Sequence, residues 1–380
     1  MKPKRIVFLS GTRADFGKVK SLIQITQNDP SFDVHIFATG MHMNSKYGFT
    51  VDEIYKSGFR NVFEFINHDQ IDHMDRNLAK TIDGFSHYVA EFKPDLIIVH
   101  GDRVEALAGA IVGSLNNILV GHIEGGEISG TIDELLRHSV SKLSHLHFVA
   151  NEQAMKRLIQ MGELPELVFP IGSPDLDLMN SSSLPSLEEA KNRYGISFDK
   201  YAIAMFHPVT TEYDKFPAYA KSFVDALIET QKNYIVIYPN NDLGSTEILR
   251  EFQRIEKSEH FKVFPSLRFE HFLTFLKHTE FVVGNSSVGI REAPFYKVPT
   301  VNIGTRQNNR ADLDSIFNCD YDKSSIISTI EKLKGFNKSS FKETSIFGTG
   351  NSAEKFIEIL RKPNFWLTCQ QKQFQEIRHD

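Results

Sequence analysis

The chain of 380 residues contains only two cysteines, Cys319 and Cys369, one tryptophan, and no excess of positive charge. Two cysteines are too few for a disulfide framework, and their separation matches no metal-ligand spacing. A reducing compartment is therefore expected. With 43 Lys and Arg against 48 Asp and Glu, the net charge is −5, and the basic excess usual in nucleic-acid binders is missing. No apolar run approaches the ~18 residues of a membrane span. The run Ile6–Leu9 behind Lys2, Lys4 and Arg5 is too short for a signal-peptide core. A cytoplasmic protein is expected, with neither membrane nor nucleic acid among its partners. Low-complexity tracts and internal repeats are also missing. What remains, 41% hydrophobic and 24% charged residues, is the composition of a globular protein of two or three domains.

Apolar runs recur along the chain, each ending near Gly, Ser, His or Asn and many followed by a helical pattern. The spacing predicts strands over residues 5–10, 33–39, 94–100, 118–124 and 146–150 in the first half. In the second half it predicts them over 201–207, 233–239, 261–266, 281–286 and 300–305. Most of these runs are apolar throughout, as parallel strands buried on both faces are. Helical patterns cover 105–115, 218–230, 245–257, 270–277 and 351–361. The fold class read from this is α/β, twice: two Rossmann-like domains with ligands at the carboxyl ends of the strands and a cleft between the halves. Pro170–Pro174 and the turn-rich Ser181–Pro185 place the boundary between Gly172 and Pro185, before a capping box at Ser186–Glu189. The division expected is 1–175, 176–362 and a tail, 363–380, available to pack back on the first domain.

Four segments at strand ends carry candidate chemistry. Gly11-Thr12-Arg13 matches neither GxGxxG nor GxxxxGK[ST], yet Arg13 beside a helix N-terminus suits a diphosphate. The plainer possibility is a Thr12 cap with Arg13 solvated. Gly101-Asp102-Arg103 opens another helix, with Asp102 as an acid-base group or an ordinary N-cap. The densest segment runs from His122 to His138. Glu124, Glu127, Asp133 and Glu134, among Gly125, Gly126 and Gly130, follow an apolar strand, where charge is otherwise out of place. Such carboxylates can serve as general base and acid; the plainer reading is a solvated turn with Thr131 or Asp133 as a cap. The fourth, Asn285-Ser286-Ser287 with Glu292, offers donors for phosphate oxygens and a carboxylate for ribose hydroxyls. Gly304-Thr305-Arg306-Gln307 completes a nucleotide-shaped pocket. The strings Asp175-Leu176-Asp177 and Asp312-Leu313-Asp314 are common enough by chance. The His68, Asp69, Asp72, His73, Asp75 group reads as a polar loop, and the His145/His147 pair as a half-buried strand. No metal site or cofactor is expected.

These segments resemble the hydrolysing UDP-N-acetylglucosamine 2-epimerases of sialic acid synthesis. The likeness lies in GTRADFGKVK (11–20), HGDRVEALAGA (100–110), HIEGGEISGTIDELLRHSVSKLSHLHFVANEQA (122–154), FHPVTTE (206–212), GNSSVGIREAP and GTRQNNR (284–310). It runs in register from about residue 5 to about 310, and its most specific part is EGGE followed by GTIDELLRHSVSKLSH. Non-hydrolysing 2-epimerases share the GTR, GD and GNS elements but differ there. The resemblance implies a GT-B architecture and a homodimer or homotetramer. It also implies conversion of UDP-N-acetylglucosamine (UDP-GlcNAc) and water to N-acetylmannosamine (ManNAc) and UDP through 2-acetamidoglucal. Arg13, Arg103, His207, Ser286 and Ser287 would stabilise the departing diphosphate. Asp102, Glu124 and Asp133 would handle protons, while Asn240, Glu292 and Arg306 would hold ribose, phosphate or uracil. The UDP-N,N'-diacetylbacillosamine 2-epimerases are similar too. A non-hydrolysing epimerase, a GT-B glycosyltransferase and a nucleotide-sugar sensor compete with these two.

Overall fold

A computed structural model describes residues 2–45, 48–68, 73–129, 132–181, 184–240, 242–307, 313–336, 341, 346–373 and 375–376. Of the residues singled out above, Asp69, Asp72, Gly130, Thr131, Asn308, Asn309, Arg310 and Asp312 lie outside these. The chain divides into two compact units, one of residues 1–127, 133–181 and 346–380, the other of 128–132 and 182–345.

The first unit is built on strands β1 (Lys4–Ser10), β2 (Phe32–Ala38), β3 (Val62–Glu64), β4 (Leu96–His100), β5 (Leu119–Ile123), β6 (Leu146–Val149) and β7 (Val168–Pro170). All pair in parallel, in the order β3-β2-β1-β4-β5-β6-β7. The second unit has β8 (Ala202–Met205), β9 (Tyr234–Ile237), β10 (Phe261–Phe264), β11 (Val282–Gly284), β12 (Thr300–Ile303) and β13 (Ile316–Cys319). These are again parallel, in the order β10-β9-β8-β11-β12-β13. Each unit is therefore a Rossmann-like α/β domain, as the sequence predicted. The order reverses between β1 and β4 in one and between β8 and β11 in the other. In open parallel sheets ligands bind at the carboxyl ends beside such a reversal. The strands missed in the sequence, β3, β7 and β13, are edge strands of three or four residues. One side of each has no partner strand to cover it, so none needs a long apolar run.

The expected division took the second domain to residue 362, and the structure corrects this. Helix Ser352–Leu360 packs against helix Arg13–Gln27 in the first unit. Its Phe356 is fully buried, 4.8 Å from the Phe148 ring and 6.4 Å from that of Phe8. The following turn, Pro363–Leu367, lays Trp366 beside Phe32 with the Lys4 ammonium over its indole. Further on, the Lys372 ammonium donates to the carbonyls of Ser144 at 2.7 Å and Lys142 at 2.9 Å, and pairs with Glu163. It thereby caps the C-terminus of helix Ile132–Leu143 with a positive charge. His145 and His147, expected on a half-buried strand, are buried: the backbone N–H of Val120 and the Glu163 carboxylate take their polar atoms out of water. Among the described residues no helix is long and apolar enough to cross a membrane.

Deleting the Phe356 ring leaves a cavity between two layers of the first unit. Phe356→Ala is expected to lower its stability by about 3–5 kcal/mol in urea unfolding. A loss under about 1 kcal/mol would show that the returning helix is not part of that core.

Candidate functional site

In the first unit the polar groups gather where β1, β4 and β5 end. Thr12 caps helix Arg13–Gln27 in a full capping box with Asp15, so the cap reading holds for Thr12, while Arg13 occupies the first helical position. Asp15 accepts from the Gly11 N–H at 3.0 Å and the Ser10 hydroxyl at 2.6 Å. Gly11 and Gly40 flank the buried Glu105: a Cβ on either would lie within 2.8 Å of its side chain.

Asp102 is not an N-cap, since helix Val104–Leu115 is preceded by Arg103. Its carboxylate pairs instead with the buried guanidinium of Arg137, which also donates to the Glu127 carbonyl at 3.3 Å. Asp133 sits one turn before Arg137 in helix Ile132–Leu143 and so shares its face. Arg103, expected on a diphosphate, has its Nε 3.7 Å from Glu105. Glu124 follows β5 with φ of 63°, a left-handed conformation uncommon for a residue with a side chain. Its N–H donates to Phe148 O, and its carboxylate accepts from His100 Nε2 at 3.1 Å and from the Ser173 hydroxyl. Beneath it His122 donates from Nε2 to the Gly101 carbonyl at 2.8 Å, so Nδ1 is left to accept from Ser141 at 3.0 Å.

In the second unit the donors gather behind β8, β9, β11 and β12. Gly284 at the end of β11 has φ of 136°, and a Cβ there would strike the Met205 carbonyl. This close approach lets the fully buried Asn285 clasp His207, accepting from its N–H at 2.7 Å and donating to its carbonyl at 2.8 Å. His207 Nδ1 in turn accepts from the Asn240 N–H at 3.0 Å, which leaves the ring proton on Nε2. Arg306 and Gln307 both donate to the Asn285 carbonyl, at 3.3 and 2.9 Å. Ser286 caps the 3-10 turn Ser287–Gly289. The expected single helix is here two short pieces, and Glu292 begins the second, buried.

Sequence reasoning thus placed Asp102, Glu124 and Asp133 at one sheet's strand ends and His207, Asn240, Ser286, Ser287 and Arg306 at the other's. It assigned no role to Arg137, His100 or Ser173, and it named Asn285 and Gln307 only within the nucleotide-pocket segments, not as the residues that clasp His207 and Asn285. Arg137 had a signal in its four-residue spacing from Asp133. Ser173 had none, because its contact with Glu124 spans 49 residues of chain.

The family model for UDP-N-acetylglucosamine 2-epimerase matches residues 24–361. A Neisseria meningitidis serogroup B protein named UDP-N-acetylglucosamine 2-epimerase is 48% identical over 98% of this chain and 99% of its own. The chain belongs to the UDP-N-acetylglucosamine 2-epimerase family. A Legionella pneumophila relative, named as a hydrolysing UDP-N,N'-diacetylbacillosamine 2-epimerase, is 33% identical over 94% of this chain and 96% of its own. The crystal structure of a Neisseria meningitidis UDP-GlcNAc 2-epimerase bound to UDP-GlcNAc matches at a TM-score of 0.78. It is 16% identical, covering 94% of this chain and 99% of that one, and shows the shared fold. As a member of this family, the protein is an enzyme whose two parallel-sheet domains are those of the GT-B-like epimerases.

Two imidazoles near the strand ends of the first unit are sealed from water. Burial pushes His42 down to about 4, against the pull of Asp15, and His122 down to about 3. Both are neutral when folded and titrate near 6.5 when unfolded, so the unfolded state binds more protons below pH 6.5 and stability falls with pH. Each should cost up to about 2 kcal/mol between about pH 6.5 and pH 5. Urea midpoints at about pH 7.5 and pH 5 measure this; equal midpoints would mean that these rings do not stay neutral.

Proposed function

We propose that the protein is the hydrolysing epimerase, converting UDP-GlcNAc and water to ManNAc and UDP, the first step of sialic acid synthesis. The observation that carries the reading is the placement of Asp102 and Glu124 behind the paired strands β4 and β5, with Asp133 on the helix whose Arg137 holds Asp102. A pure binder of an anionic ligand gains nothing from such carboxylates. The relative named as hydrolysing supports the same reaction type.

The chemistry asks for these groups. The C2 hydrogen has no carbonyl beside it and becomes acidic only as UDP leaves C1 with the bonding electron pair. A carboxylate then takes the C2 proton, and the C2–H pair closes the C1=C2 bond of 2-acetamidoglucal. Water adds its hydroxyl to C1, and a proton reaches C2 from the opposite face, giving ManNAc. Asp102, Glu124 and Asp133 are the proton carriers in this reading. Arg13, Arg103, His207, Ser286 and Ser287 stabilise the diphosphate as it departs, and Asn240, Glu292 and Arg306 hold the nucleotide. The enzyme would work in the cytoplasm as a homodimer or homotetramer. The Legionella relative favours one second reading, the same reaction on UDP-N,N'-diacetylbacillosamine.

Proton NMR of the protein with UDP-GlcNAc in heavy water tests this. Free UDP and ManNAc carrying deuterium at C2 are expected. Deuterated UDP-sugar without free UDP would mean a non-hydrolysing enzyme, and no reaction would shift the choice to the diacetylbacillosamine nucleotide. In the same assay Asp102→Asn and Glu124→Gln should lose turnover by a factor of about 10² or more with UDP affinity nearly unchanged. Near wild-type turnover would remove that carboxylate from proton transfer. Ser287→Ala and Glu292→Ala should weaken UDP binding about tenfold by calorimetry. Unchanged affinity would take them out of the nucleotide site.

A further inference from the structure

Glu124 is held at both carboxylate oxygens, by groups from two different elements. His100, the last residue of β4, donates to Oε2, and Ser173, in the turn after β7, donates to Oε1. Ser173 is itself fixed. It is 1% exposed, and its N–H donates to the Phe347 carbonyl at 2.6 Å. That contact depends on two glycines in left-handed conformations, Gly172 with φ of 91° and Gly348 with φ of 116°. A Cβ on Gly348 would fall 2.9 Å from the Gly172 Cα, and one on Gly172 would fall 3.0 Å from the Ser352 hydroxyl. Backbone lies on backbone there, and any side chain would push the segment at 347–348 off the turn that presents Ser173.

We infer that Ser173 is a positioning residue for Glu124, seated by the Phe347–Gly348 backbone and fixing the plane of the carboxylate that exchanges protons with the substrate. The inference rests on the proposed proton-carrying role of Glu124. Proton transfer needs an approach of about 2.6–3.2 Å, and displacement by about 1 Å can cost two orders of magnitude in rate. A hydroxyl suits the task because it donates to the carboxylate and can turn to accept once Glu124 carries a proton. The grip therefore survives both halves of the catalytic cycle.

Ser173→Ala removes one oxygen atom and leaves His100 in place. We expect kcat to fall about tenfold to a hundredfold, the range for a lost hydrogen bond to a charged group, with UDP affinity unchanged by calorimetry. Proton transfer should also become more rate-limiting. Either the isotope effect with substrate deuterated at C2 or the effect of heavy water on kcat should then rise above the wild-type value. Loss of folded enzyme lowers the rate without changing either ratio, so a slower variant with both effects unchanged would overturn the inference. So would a kcat within about twofold of wild type. Glu124→Gln is measured alongside: if it stays active, the reading of Glu124 itself has failed. If it is inactive while Ser173→Ala is unaffected, only the positioning role is lost.

Discussion

A carboxylate taken out of water must be given donors or it will not stay ionised, and the first unit takes several out of water at once. Asp15 has backbone N–H groups and the Ser10 hydroxyl, Asp175 has Lys18, and Glu124 has His100 with Ser173. Glu163 is the extreme case. Burial pushes its pKa up, yet His147 and Lys372 pull it down further, to about 2. Each partner comes from another strand, helix or loop, so satisfying these charges also fixes how those elements join. Breaking such a pair from one side leaves a buried charge uncompensated, at a cost of about 3–5 kcal/mol.

The two units meet the same constraint with different chemistry. Behind β4 and β5 carboxylates organise the polar groups, Asp102 with Arg137 and Glu124 with His100 and Ser173. Behind β8 and β11 the organising group is a neutral amide, Asn285, which uses its side chain and backbone carbonyl to bind His207, Arg306 and Gln307. Carboxylates in a setting of mixed charge suit proton movement. Amides, hydroxyls and cations suit a polyanion. In the proposed function the proton carriers all belong to the first unit, while most of the groups assigned to the nucleotide belong to the second, Arg13 and Arg103 being the exceptions.

Much of this was legible in the sequence. Nine central strands showed as apolar runs because both their faces are covered, the edge strand β10 showed with them, and the polar residues at the strand ends stood out against that background. Three of the four edge strands, β3, β7 and β13, did not show, since a short strand paired on one side needs no such run. The partners of the site residues were legible only when close in sequence. Arg137 lies one helical turn from Asp133, but Ser173 reaches Glu124, and Lys372 reaches Glu163, through folding alone. The placement of helix Ser352–Leu360 was hidden for the same reason: its apolar face says that it packs, not on which sheet.

That helix makes the first unit discontinuous, with the second made entirely before its closing segment. During synthesis, at about 5–20 residues per second, residues 1–181 leave the ribosome without Phe356, Ile357, Leu360 and Phe365 of their own core. The nascent first unit must wait about ten to thirty seconds, with an apolar face uncovered, while residues 182–345 are made. The second unit, nearly continuous in sequence, has no such wait. A segment made after the second unit closes the core of the unit that was begun first.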